Sequence, residues 1–307
     1  MLVDAHHHVW DLRVRDQDWI AGAELAPLRR NFLVSDYELV AAAAGVTASV
    51  VVQTVTVPGE TSELLELADA SALIAGVVGW VDLTAGDVAD RLAALRALPG
   101  GSWLRGVRHQ VQSEPDPGWL MRPDVLRGLR AVAAEGLVYD LVITSGQLPV
   151  SARAASAVPG LTFVLDHLGK PPIASGQIEP WASDLRRLAA LPNTVAKLSG
   201  LVTEADWKRW QRGDLRPYAE AALESFGPSR LMFGSDWPVC TLAASYDDVR
   251  RAALDLTAAL SPAERDALFH GSATRTYRLS QPLPSPSLSP LPERRSGIRP
   301  SICRFVQ

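Results

Sequence analysis

Short apolar runs rich in β-branched residues alternate along the chain with stretches of Ala, Leu and Arg that carry a helical period. Strands are predicted near residues 2–8, 47–54, 74–81, 104–111, 137–143, 161–167, 194–199 and 230–235, on runs such as Val50-Val51-Val52 and Phe163-Val164-Leu165. Between them the pattern predicts helices over Ser35–Ala44, Asp87–Leu98, Pro123–Glu135, Trp181–Leu191, Leu215–Phe226 and Tyr246–Leu260. Ser35 and Glu38 have the spacing of a capping box, and Leu92, Leu95 and Leu98 fall on one stripe. Repeated strand-helix order implies a parallel sheet with helices outside it. Eight strands suit an α/β fold of the closed (β/α)8 TIM-barrel kind better than an open doubly wound sheet. No glycine-rich phosphate loop follows the first strand, which argues against a dinucleotide fold.

The periodicity stops near residue 280. Pro282, Pro284, Pro286, Pro290 and Pro292 then alternate with serines and lead to Arg294-Arg295. Residues 1–280 therefore read as the barrel domain and 281–307 as a Pro/Ser-rich disordered tail. A chain of 307 residues, 47% hydrophobic, has ample material for a barrel core of ~250 residues. The net charge of -4 offers no basic field, so nucleic acid is not an expected partner. No apolar run long enough to span a bilayer and no signal-like leader are present, so a soluble cytoplasmic protein is expected. Cys240 and Cys303 suggest neither a disulfide framework nor a cysteine metal site.

In a barrel, groups at the C-terminal ends of the strands surround one pocket. The first strand ends in Asp4-Ala5-His6-His7-His8-Val9-Trp10. Alternation of faces puts His6 and His8 on one side and His7 on the other, aiming two imidazoles at one point. That geometry holds a metal ion or directs two N–H donors at one oxygen. The fourth strand carries Arg108 and His109, the sixth ends in Asp166-His167, and the eighth in Gly234-Ser235-Asp236-Trp237-Pro238. Three histidines and one aspartate are thus expected to converge. Asp236 can serve as a general base or as a helix N-cap. Arg108 can pair with Asp140 or bind a substrate hydroxyl or carboxylate. Trp10 and Trp237 are candidate flat walls for a ring. Lys197, with Asp140, can contact substrate or orient the histidines. His109 alternates with Val107 and Val111 and is expected to face the helices, and His270 to be an ordinary surface histidine.

Taken together, Asp4-x-His6-x-His8-x-Trp10, Gly106-Val107-Arg108-His109, Asp166-His167-x-Gly169-Lys170-Pro171, Lys197-Leu198-Ser199-Gly200 and Gly234-Ser235-Asp236-Trp237-Pro238 resemble the amidohydrolase superfamily. The likeness is to the amidohydrolase-2 branch, which contains sugar-acid lactonases and 2-pyrone-4,6-dicarboxylate lactonase. The resemblance implies a (β/α)8 barrel of the metal-dependent hydrolase type and hydrolysis of a lactone ring. It places His6, His8 and His167 around the substrate carbonyl, with Asp236 as the base. One Zn²⁺ held by His6, His8, His167 and Asp236 is the expected cofactor, with metal-free catalysis the open alternative. A binuclear site is not expected, because no bridging lysine or glutamate stands on a middle strand and Lys197 lies on the seventh. A pyrone dicarboxylate needs more cations than Arg108 and Lys197, whereas Gln53, Gln110 and Gln112 suit hydroxyls. The expected substrate is therefore a neutral aldonolactone, such as an L-fucono- or L-rhamnono-lactone. The alternatives are a metal-dependent decarboxylase of the same branch and a non-catalytic barrel that binds a sugar acid.

Overall fold

The computed structural model describes residues 1–279. Its eight strands follow chain order around one sheet: β1 Val3–His7, β2 Ala48–Val52, β3 Ile74–Gly79, β4 Leu104–His109, β5 Val138–Leu141, β6 Phe163–Leu165, β7 Thr194–Leu198 and β8 Leu231–Phe233. Each neighbouring pair is parallel. The chain leaving β8 closes the ring: Asp236 N–H donates to the His6 carbonyl at 2.8 Å and His8 N–H to the Trp237 carbonyl at 2.7 Å. The buried Asp4 carboxylate clips this seam, accepting from Ser235 N–H at 2.9 Å, Tyr37 O–H at 3.0 Å and Tyr246 O–H at 2.9 Å. This is the expected (β/α)8 barrel.

Strands covered on both faces read as continuous apolar runs, and β2 and β3 are buried throughout. Their side chains still divide between two cores. Val3, Ala5, Val50, Val78, Val164 and Met232 fill the interior, while Val51, Tyr139, Phe163, Leu198 and Phe233 pack outward against the helices. Tyr277 and Leu279 join the interior cluster. Toward the C-terminal ends of the strands the apolar interior gives way to Arg108, Asp140, Asp166 and Lys197, all buried. That polar layer is the floor of the site.

All eight predicted strands form, and each ends short of its predicted range, because the chain leaves the sheet there to build loops. The six predicted helices also form, as Val34–Ala44, Val88–Ala97, Pro123–Ala134, Trp181–Ala189, Arg212–Phe226 and Tyr246–Leu256. Two unpredicted helices, Pro58–Ala70 and Leu148–Ala157, bring those that follow the strands to eight, and the short helices Gly22–Leu25, Pro262–Asp266 and Ser272–Thr276 are likewise unpredicted. Pro58–Ala70 and Leu148–Ala157 both carry proline in the first turn, where its missing N–H costs nothing. The Ser35–Glu38 capping box does not form. The helix starts one residue earlier, so Leu33 N–H donates to Asp36 Oδ2 at 2.8 Å, and Glu38 accepts from Ser71 O–H at 3.0 Å. Leu98 lies past the end of its helix and is exposed, leaving Leu92 as the buried member of that stripe. No helix among the described residues is long and apolar enough to cross a membrane. The Pro/Ser-rich stretch 281–307 lies outside the described residues.

Candidate active site

Strict alternation from Val3 and Ala5, which face the interior, would turn His7 inward. A register irregularity between Asp4 and His7 in the β1–β2 pairing reverses this. His6 and His8 face the pocket side with their Nε2 atoms 3.2 Å apart. His7 points outward, stacked on Tyr37 at 3.6 Å and bonded to Ser49 Oγ at 3.1 Å. His167 and Asp236 arrive by another route, from turns with φ of 52° and 57°. Non-glycine residues seldom adopt this left-handed region, and such strain concentrates at functional sites.

A Cβ at Gly200, where φ is +66°, would stand 2.6 Å from His167 Nδ1, and one at Gly234 would stand 2.7 Å from His6 Cβ. Glycine at these positions is what lets the two imidazoles sit where they do. Gly200→Ala is accordingly expected to lower kcat/KM about tenfold or more by displacing His167, with the far-ultraviolet circular dichroism unchanged. Wild-type kinetics in that variant would show that the position of His167 is immaterial.

The Asp236 Oδ1 atom lies 3.7 Å from His6 Nε2, 3.5 Å from His8 Nε2 and 3.8 Å from His167 Nε2. Behind each ring the Nδ1 is engaged. His8 Nδ1 meets the Val52 carbonyl at 2.7 Å, His167 Nδ1 meets Ser199 Oγ at 2.9 Å, and His6 Nδ1 lies 3.3 Å from Asp166 Oδ1. Such partners fix the ring orientation, and because the Val52 carbonyl only accepts, His8 carries its proton on Nδ1 and turns its Nε2 lone pair to the centre. Burial, and then the charge of Lys197, hold the His6 imidazole well below its ordinary pKa; burial brings His167 down to about 4. Both rings are therefore neutral near pH 7. Burial by itself would raise the Asp236 carboxyl, but His167, His8 and Lys170 outweigh it and leave the group ionised.

Neutral imidazoles around a carboxylate are the donor set of a transition-metal site. At metal–ligand distances of ~2.0–2.1 Å a tetrahedron has edges of roughly 3.3–3.4 Å, and the separations from 3.2 to 3.8 Å bracket that value. His6, His167 and Asp236 lie within 4.8 Å of one another, and His8 stands 3.2 Å from His6 and 3.5 Å from Asp236. These residues fit one divalent ion.

A second cluster, His6 with Asp140 and Asp166, has the same compactness. A side chain already fills it. Lys197 Nζ lies 2.6 Å from Asp140 Oδ2, 2.9 Å from Asp166 Oδ1 and 2.9 Å from His6 Nδ1. The ammonium takes the place a second cation would need. Lys197 is wholly buried and does not line the pocket, so the expected substrate contact is corrected: its length carries it into the polar floor beneath His6. Arg108 pairs with Asp166 Oδ2 at 3.0 Å, rather than with Asp140, and donates to Gln53 Oε1 at 3.0 Å and to the Gln53 carbonyl. Burial pushes the Asp140 carboxyl up despite Lys197, whereas Lys197, His6 and Arg108 overcome burial and hold Asp166 well below the carboxylate range. The quartet of two cations and two anions is electrically balanced, with Tyr277 O–H donating to Asp140 at 2.8 Å.

Above this floor is a cavity of about 270 Å³, lined by His8, Arg108, His167 and Asp236 together with Gln110, Gln112, Lys170 and Glu204. Its volume suits one monosaccharide-sized ring. Trp10 and Trp237 are not among its walls. Trp10 packs on Phe32 at 5.1 Å and donates to the Arg30 carbonyl, and Trp237 packs on Phe32 at 5.4 Å. Both stand behind the site because Trp10 bridges to Phe32 and Trp237 bridges to His7, on the outward side of β1. Trp19 and Trp207, which the sequence reading passed over, supply the aromatic walls instead. They come from irregular loops that no periodicity marks. Asp166 was also missed as a functional residue, although it directly precedes His167 in its motif. His109 stacks on Trp119 at 4.3 Å and meets Glu114 at 2.7 Å, away from the four central groups.

A profile of the family described as Amidohydrolase matches residues 3–279. The chain belongs to the amidohydrolase family. A relative of this amidohydrolase, the L-fucono-1,5-lactonase of Burkholderia multivorans, is 44% identical over 91% of this chain and 97% of its own length. A second L-fucono-1,5-lactonase, from Burkholderia ambifaria, is 37% identical over 91% of this chain and 96% of its own. A solved structure of a Burkholderia multivorans amidohydrolase with zinc bound matches with a TM-score of 0.85 at 44% identity, over 91% of this amidohydrolase and all of that chain.

Proposed function

We propose that this amidohydrolase opens the ring of a neutral sugar-acid lactone, such as L-fucono-1,5-lactone, with Asp236 as general base. The carrying observation is one ionised carboxylate within 3.8 Å of three imidazole nitrogens at the head of a monosaccharide-sized pocket. The names of the two Burkholderia relatives support the reading. Asp236 takes a proton from the water whose oxygen bonds to the ester carbonyl carbon. As the ring C–O bond breaks, Asp236 returns that proton to the departing alkoxide, and the product is the open hydroxy acid. Arg108 uses three of its five N–H groups on Gln53 and Asp166, and a remaining one is available to the carbonyl oxygen as its charge develops. A divalent ion held by His6, His8, His167 and Asp236 would supply Lewis-acid polarisation and a more acidic water. We take that ion to be Zn²⁺, from the nitrogen-rich donor set and the zinc-bound relative.

A pH-indicator assay over 1,4- and 1,5-aldonolactones tests the reading, which is wrong if the metal-replete protein releases acid from none of them. Dialysis against a chelator is expected to reduce acid release roughly tenfold or more, with recovery on adding Zn²⁺. Full activity in protein shown by elemental analysis to be metal-free would remove the ion from the proposal.

The acid limb of kcat/KM should lie unusually low for a histidine site. His167 is held at about 4, with His6 and Asp236 also below their ordinary values, so all three keep their working protonation states until the solution is distinctly acidic. Activity is expected to stay level from about pH 8 to 5.5 and to fall only below that. A half-loss near pH 6.5 would show that another group, an ordinary imidazole or a metal-bound water, controls the reaction.

A further inference from the structure

Two charged side chains in the pocket, Lys170 from the turn after β6 and Glu204 from the loop after β7, have no assigned contact with the substrate in the scheme above, although the Lys170 charge helps to keep Asp236 ionised. Their head groups stand 4.0 Å apart, too far for a direct hydrogen bond. Neither makes a side-chain hydrogen bond to another described residue, and the side chains are 29% and 25% exposed. Their backbones are firmly set. Lys170 N–H donates to the His167 carbonyl at 2.9 Å, and the Glu204 carbonyl accepts from Ala174 N–H at 3.0 Å. A donor and an acceptor on firmly set backbone thus face the same small cavity with unspent hydrogen-bonding capacity.

An ammonium only donates and a carboxylate only accepts, whereas a hydroxyl does both. Adjacent hydroxyls on a ring therefore satisfy both groups at once. An unsubstituted ring offers neither group a hydrogen-bond partner while displacing water from both. An anionic ring satisfies Lys170 but is repelled by Glu204 and by Asp236. We propose that the Lys170–Glu204 pair selects hydroxyl-bearing, uncharged lactones by binding neighbouring hydroxyls of the substrate. This rests on the lactonase reading and names the residues that set its specificity.

The test compares wild type, Glu204→Gln and Lys170→Met, as metal-replete enzymes, on three probes: L-fucono-1,5-lactone, δ-valerolactone and the anionic D-glucaro-1,4-lactone. Because both head groups are partly exposed and make no side-chain hydrogen bonds, the variants should match wild type in Tm and circular dichroism. Each is expected to lower kcat/KM for the fuconolactone about 10–100-fold, mainly through KM, and so to erode its preference over δ-valerolactone. Glu204→Gln should also raise the relative rate on the glucarolactone. The double variant should lose little more than the worse single one, since the pair acts on the same hydroxyls. Folded variants with an unchanged fuconolactone-to-valerolactone ratio overturn the proposal. If wild type opens none of the three rings, it is the lactonase reading itself that fails.

Discussion

Asp236→Asn is expected to lower kcat for lactone hydrolysis by at least ~100-fold, the scale of removing a general base. The substitution is a clean one at this position. Asp236 has a φ of 57°, a conformation that asparagine adopts at least as readily as aspartate, so the turn after β8 should survive. The amide keeps the shape of the carboxyl and loses the ability to accept the water proton. It also weakens the donor set, because a neutral amide oxygen replaces the anionic member of the cluster with His6, His8 and His167. Steady-state kinetics beside thermal denaturation and a metal count separate the two effects. A kcat within about threefold of wild type in a metal-loaded variant is incompatible with Asp236 as base.

The largest change in stability should come from Lys197→Met. Lys197 neutralises two carboxylates at 2.6 and 2.9 Å, with all three side chains wholly buried. Removing one member of a buried, balanced cluster leaves an uncompensated charge, a loss of about 3–5 kcal/mol. For a domain of this size that corresponds to a fall in Tm of roughly 6–20 °C. The loss should depend on pH in a definite sense. Asp140 already sits above its ordinary pKa, at about 6, through burial that Lys197 only partly offsets. Without the lysine that value rises further, so the variant sheds stability as pH climbs and Asp140 must ionise. Denaturation at about pH 5 should therefore find a smaller deficit than at about pH 8, and adding Asp140→Asn should restore part of it. A deficit below about 1 kcal/mol, equal at both pH values, would mean that water or rearrangement relieves the cluster.

Much of this architecture was legible before any coordinates. Eight apolar runs separated by helical stretches determine a parallel barrel, because strands buried on both faces must be apolar throughout and parallel neighbours need crossover helices. Position at a strand end then identified His6, His8, His167 and Asp236 as candidates, since loops at that end share one pocket. Two of the longer helices are not marked by the pattern, because Pro58–Ala70 and Leu148–Ala157 dilute their apolar positions with Ala, Ser and Glu.

Other features required the fold itself. Whether His6 or His7 faces inward depends on a register irregularity in β1, a property of its pairing with β2 and not of β1 alone. Lys197 reads in the sequence as a group that can meet substrate or orient the histidines, and only the convergence of β5, β6 and β7 shows it engaged by Asp140 and Asp166 beneath His6. Trp10 and Trp237 flank the motif residues along the chain yet pack behind them, while Trp19 and Trp207 line the cavity from distant loops. Local sequence determines period, and period determines which elements form and where their ends fall. The partners a buried charge or ring meets are set by atoms that are neighbours only in space, so they were decided when the barrel closed.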